Sequence, residues 1–223
     1  MRHHPDDESV RAGTGSAPRR RRGRGRERER TRERVYASAA ALFRRQGYAD
    51  TSVAQIAEHA GIGRGTFFTY FPRKDCLISF WSQARLRELT HRLTPLLQDA
   101  PGTAEALRAC MSVLSDLNEE EPELSAAMLT AWIQTGRMLR QRPHLSAVFA
   151  AIVEQGRARG DVGAAVSPER VGEALRDLYV GALHRWSHPG AGCPRTRLDT
   201  ELQQAVSLLL EGLAPRRTPP PGA

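Results

Sequence analysis

The stretch from Thr51 to Pro72 constrains this chain more than any other, because it carries two helical segments too short to stand alone. Isolated helices under about 12 residues are marginal in water, so these two must be held by each other and by a neighbour. Ser52 followed three residues later by Gln55 has the form of a capping box, which starts the first segment at Ser52 and runs it to about His59. Ala60-Gly61-Ile62-Gly63 then breaks the helix, with Gly61 supplying the backbone freedom of a sharp turn. The second segment runs from Arg64 to Tyr70 and ends before Pro72, since the residue preceding a proline is pushed out of helical geometry. Val53, Ile56, Ala57, Ile62 and Phe67 are spaced to pack the pair together and onto a preceding helix. That helix, at about 31–46, presents Val35, Ala39, Leu42 and Phe43 on one face and stops at Gly47.

The remainder reads as helices only. A fourth helix begins near Arg73 and carries Leu77, Ile78, Trp81 and Ala84 along one side. Beyond Pro101 the spacing predicts helices at about 102–117, 122–140, 144–158, 167–187 and 197–213, with no alternating strand pattern and no Asn-Gly hairpin signal. The expected fold is therefore all-α: a three-helix, helix-turn-helix head at 31–76, then a larger helical domain at 77–214. Residues 1–30 lack apolar periodicity and are rich in Arg, Gly, Glu, Ser and Pro, which predicts a disordered basic arm. The proline-rich end, 215–223, reads as a disordered tail.

Charge is unevenly placed. Residues 1–90 hold 19 Arg and Lys against 10 Asp and Glu, while residues 91–223 hold 14 against 15, so the whole basic excess lies at the N-terminal end. Such asymmetry suits a head facing a polyanion and a body facing something else. No apolar run approaches the roughly 20 residues that span a bilayer, and no secretory signal opens the chain, so it is expected to avoid the membrane and stay in the cytoplasm. Cys76, Cys110 and Cys193 are dispersed and odd in number, as reduced thiols would be. Of seven histidines only His184 and His188 have ligand-like spacing, and no carboxylate pattern joins them, so no metal site is expected. No nucleophile elbow, phosphate loop or dinucleotide fingerprint occurs in a fitting context. Neither an enzyme nor a cofactor-binding protein is expected.

A helix-turn-helix lays its second helix in the major groove of double-stranded DNA. Packing Phe67 inward leaves Arg64, Thr66, Thr69 and Tyr70 pointing out. Arg64 lies in the first turn, where side chains reach base edges, and arginine on guanine is the commonest specific contact. Gly65 lets the backbone approach DNA, and Thr66 suits a thymine methyl or a base edge. Thr51 and Ser52 at the start of the first short helix, Tyr70, and Lys74 at the start of the fourth are candidates for phosphate. Lys74 is the single lysine of the chain. The arginine-rich arm is a candidate for the minor groove. A different reading of the same basic excess is an architectural protein that binds nucleic acid without sequence preference through that arm.

The region from Ala39 to Leu77 resembles the DNA-binding domain of TetR-type (TetR/AcrR) regulators. The resemblance rests on Ala40-Ala41-Leu42-Phe43, Gly47-Tyr48, Thr51-Ser52-Val53, Ile56-Ala57, Ala60-Gly61-Ile62, Gly65-Thr66 and Tyr70-Phe71-Pro72-Arg73-Lys74 with Leu77. It implies about nine helices, a homodimer formed through the last two, a palindromic operator, and a small-molecule effector that releases a repressor from DNA. Phe68 stands where such proteins often carry a phosphate-touching tyrosine, and Gly63 where they often carry a capping serine. The effector pocket is expected to draw on Met111, Met128, Trp132, Phe149 and Tyr179, although each serves equally well as core. The dimer seam is expected at Leu175, Leu178, Ala182, Leu202, Val206 and Leu209, an apolar stripe larger than a small head can cover.

Overall fold

The computed structural model describes residues 17–136, 145–188 and 197–211, with side chains from Gly25 onward, and places nine helices and no strand among them. They are α1 (Ala17–Gln46), α2 (Val53–His59), α3 (Arg64–Tyr70), α4 (Cys76–Asp99), α5 (Thr103–Glu119), α6 (Pro122–Gln134), α7 (Leu145–Arg159), α8 (Pro168–Ser187) and α9 (Leu198–Glu211). The all-α expectation holds. Cys193 and the expected tail at 215–223 lie outside the described residues.

Helix α1 starts fourteen residues before the expected Thr31, at Ala17, so the arm predicted to be disordered is helical over 17–30. Arg and Glu are good helix formers, and Arg26–Glu29, Glu27–Arg30 and Arg30–Glu33 set opposite charges three residues apart. The nucleus already exists further on, where Thr31 and Val35 are buried and Arg32 lies 4.6 Å from the centre of the Phe80 ring. Propagating a helix from a formed nucleus costs little per residue, which is why the lack of apolar periodicity does not stop it.

Two cores form. The first joins Val35, Ala39, Phe43, Ile56, Phe67 and Phe71 of the head to Leu77, Ile78 and Trp81 of α4 and to Leu124, Met128 and Ala131 of α6. The expected boundary at residue 76/77 thus falls inside one packed unit. The second core lies among α4, α5, α7, α8 and α9, around Leu107, Met111, Leu114, Phe149, Leu175 and Leu202. Within it α7 and α8 pack closely because Gly172 has no side chain: a Cβ there would meet the Ser146 carbonyl oxygen at 2.3 Å.

Several expected roles change with this packing. Met111 and Phe149 are fully buried in the second core and Met128 in the first, and none of the three lines the cavity described below. Leu175, Ala182, Leu202 and Val206 are likewise fully covered by their own chain, because α8 and α9 pack onto α5 and α7 through that stripe. They are not available to a partner subunit. Leu178 is half-buried, Leu209 is exposed, and Leu208 and Leu210 beside it are exposed as well. No helix among the described residues is long and apolar enough to cross a membrane.

Candidate nucleic-acid interface and ligand cavity

The turn between α2 and α3 is built as the sequence predicts. Ser52 Oγ accepts the Gln55 N–H at 3.2 Å while Gln55 Oε1 accepts the Ser52 N–H at 2.8 Å, closing both halves of the capping box. Gly61 has φ +65°, a left-handed conformation that favours glycine. Gly63 caps α3 without any side-chain bond. Helix α3 then divides cleanly. Phe67 is fully buried and packs edge-on to Phe68 and against Phe71, while Arg64, Gly65, Thr66, Phe68 and Thr69 face solvent.

Arg64 has no hydrogen-bond or ion-pair partner among the described residues, so its guanidinium is uncommitted. Phe68 is 41% exposed, a large apolar ring on the outer face of a head whose other phenylalanines are buried. Tyr70 is half-buried with its ring against the first core. Thr69 bonds weakly back to the Gly65 carbonyl at 3.4 Å.

Two expected phosphate contacts take other positions. Thr51 is buried, and its hydroxyl donates to the Gly47 carbonyl at 2.7 Å, which ties the α1–α2 connection instead of facing outward. Ser52 beside it is exposed. Lys74 Nζ donates to the carbonyls of Tyr48 at 2.8 Å and Thr51 at 2.9 Å and lies 4.1 Å from the centre of the Tyr48 ring. Partial burial lowers its pKa, opposed by the nearby Asp50 carboxylate. An ammonium has three donors, so one remains after both carbonyls are served. Lys74 is first a clamp on the turn that sets the entry of α2.

The larger domain holds a cavity of about 70 Å³ between α4, α5, α6 and α8. Trp132 and Tyr179 line it, together with Trp81, Arg85, Asn118 and Arg176. Burial pushes the Tyr179 hydroxyl up to about 12, and this hydroxyl accepts the Asn118 amide N–H at 2.9 Å. Sequence reasoning missed Arg85, Asn118 and Arg176. Arg85 sits one helical turn after Trp81 and one before Leu89, a spacing that placed a cation on an apolar face and was the available signal.

The site defines a class: a helix-turn-helix head on an α-helical body with a cavity between its helices, as in one-component transcription regulators. The family model for bacterial regulatory proteins of the tetR family matches residues 35–79. The chain is 32% identical over 145 residues to the HTH-type transcriptional regulator BetI of Brucella melitensis, covering 61% of this chain and 71% of BetI. It is 25% identical over 187 residues to the HTH-type transcriptional repressor KstR2 of Rhodococcus jostii, covering 79% and 87%. Among solved structures, FadR of Thermus thermophilus, a TetR family transcriptional repressor in complex with lauroyl-CoA, aligns with a TM-score of 0.68 at 31% identity. That alignment spans 86% of this chain and all of FadR. The chain belongs to the TetR family of DNA-binding transcription regulators, which are not enzymes. The reading as a sequence-indifferent architectural protein falls away with this.

Proposed function

We propose that the protein is a homodimeric repressor that reads a palindromic operator through α3 and is released by a small-molecule effector held in the α4–α8 cavity. The observation that carries the DNA half is the division of α3, with Phe67 anchored inside and Arg64, Thr66, Phe68 and Thr69 on the outer side. Arg64 reads a guanine edge, Thr66 and Phe68 meet thymine methyls or sugar, and Gly65 allows close backbone approach. Ser52, Thr69, Tyr70 and the remaining Lys74 hydrogen serve phosphates, and the arginines before Thr31 add non-specific attraction.

The dimer reading rests on the outward apolar face of α9, where Leu208 is 60% exposed, with Leu209 and Leu210 beside it and Leu178 on the adjoining α8. A two-fold partner covers such a patch and spaces two α3 helices to half-sites about 34–36 Å apart, or a multiple. The effector reading draws support from the cavity and from the lauroyl-CoA held by the Thermus relative. An effector acts by preferring a head spacing that misfits DNA, so its antagonism with DNA is reciprocal.

Selection of bound fragments from a random-sequence DNA pool tests this. Enrichment of an inverted repeat bound by a dimer is expected. Enrichment of no common sequence would overturn the operator reading, and compounds that bind without changing operator affinity would overturn the release reading.

A further inference from the structure

The cavity wall is chemically lopsided. Its cations are Arg85 and Arg176, with side chains 17% and 15% exposed, and among the described residues no Asp or Glu lines it. Trp81 Nε1 and Trp132 Nε1 are buried donors without a hydrogen-bond partner, and Asn118 Oδ1 is a buried acceptor without one. Buried polar groups are normally paired, so these three atoms are unsatisfied features of the residues that form the wall. Arg176 donates through Nε and Nη2 to Asp177, so Arg85 is the cation this wall offers, and a lining made mainly of Trp, Leu and Val, with Ser82, Asn118 and Tyr179 as its neutral polar groups, suits an apolar body carrying a negatively charged group.

Arg85 also leads out of the cavity. It donates to the Leu117 carbonyl at the end of α5 and, through Nη2 at 2.8 Å, to Oε2 of Glu121 in the α5–α6 connection. The other Glu121 oxygen, Oε1, is bonded by Arg44 in the last turn of α1. Arg44 belongs to the DNA-binding head, so the three side chains tie the wall of the cavity to the head. Nη2 carries one N–H on each bidentate edge of the guanidinium, and Glu121 takes one of them, so a second anion on the other edge shares the same cationic charge. An anion seated on Arg85 draws it away from Glu121, and two anions crowd one cation.

We propose that the cavity takes an amphiphile with an apolar body and an anionic group, which competes with Glu121 for Arg85 and so loosens the Arg44–Glu121–Arg85 tie between cavity and DNA head. This rests on the effector-release reading and specifies its ligand and its first step.

The test uses the full chain with decanoate and decanoyl-CoA as two anionic sources, and decan-1-ol and decylamine as uncharged and cationic controls. Two of the three tryptophans line the cavity, so indole fluorescence reads binding directly. At least one anion is expected to bind about tenfold more tightly than decan-1-ol, decylamine is expected not to bind, and Arg85→Gln removes about tenfold of the anion's affinity. Arg85→Lys, which keeps the charge and loses the fork, falls between them and guards against misfolding as the cause. Glu121→Gln removes the internal competitor, so it binds the anion about three- to tenfold more tightly and binds selected operator DNA more weakly without ligand. Arg44→Gln binds the anion as the wild type does, but its operator affinity no longer responds. Decan-1-ol binding as tightly as the anions, or both Arg85 variants binding like wild type, would overturn the anionic site. An Arg44→Gln protein that responds like wild type would overturn the tie. If anions bind through Arg85 while wild-type operator affinity stays unchanged, the site stands and the effector-release reading fails. If an amphiphile releases operator equally from wild type and Arg85→Gln, release stands and the charged site fails.

Discussion

Lys74→Met separates the clamp seen in the structure from a purely DNA-facing lysine. Methionine keeps an unbranched apolar stem while removing the charge. The substitution deletes two charge-assisted hydrogen bonds, at 2.8 Å to Tyr48 and 2.9 Å to Thr51, and a cation 4.1 Å from the Tyr48 ring. Hydrogen bonds to charged groups contribute about 1.5–3 kcal/mol each, and an exposed cation–π contact about 0.5–1 kcal/mol. The site is only half-buried and the ammonium carries a desolvation cost, so the low end of each range applies. Tyr48 O also keeps the Thr51 N–H, at 3.3 Å, so it is not left bare. The net loss is then about 2–3 kcal/mol, which for a chain of this size is a fall in Tm of roughly 4–12 °C. Thermal melting by circular dichroism measures it at fixed protein concentration, since dimerisation makes Tm concentration-dependent. In parallel, the slope of log affinity against log salt falls by about 0.9 if the third Nζ hydrogen meets one phosphate. A variant that melts within about 1 °C of wild type would refute the clamp, whatever its affinity for DNA.

Other outcomes follow from burial. Leu209→Glu, on the exposed face of α9, is expected to give a folded monomer by light scattering, whereas Leu202→Glu, fully buried about two helical turns earlier, should fail to fold; a dimeric Leu209→Glu protein would place the seam elsewhere. Burial pushes the Cys110 thiol up to about 12, so at pH 8 it stays protonated and resists iodoacetamide in the native protein; rapid labelling at Cys110, located by peptide mass mapping, would contradict its place in the core.

What the sequence made legible was local. The Ser52–Gln55 box, the turn at Gly61 and the stop before Pro72 each depend on contacts within four residues, and each stands where the spacing puts it. The outward set on α3 followed from a single inference, that Phe67 points in. Thr51 shows the limit even at short range: its hydroxyl turns back to Gly47 rather than out to a phosphate, and residue type alone does not choose between the two. On α8 and α9 the apolar stripe was visible, but which leucines face their own chain depends on where α5 and α7 lie, so Leu202 and Val206 went inward and Leu209 did not. Met111, Met128 and Phe149 looked no different from Trp132 and Tyr179 until packing separated core from cavity. The Arg44–Glu121–Arg85 tie joins residues 77 and 36 positions apart and left no periodic trace. Helix α1 ran past its apolar face because propagation, unlike nucleation, needs no buried contact.

The central claim is that α3 reads base edges through Arg64. Competition binding of wild type and Arg64→Ala to the selected operator and to single-base variants of it tests this most directly. The account predicts that Arg64→Ala loses about 1–3 kcal/mol, or roughly 5- to 150-fold, on the operator and relaxes preference at one base pair in each half-site, with little change on unrelated DNA. An operator preference unchanged at every position would contradict it.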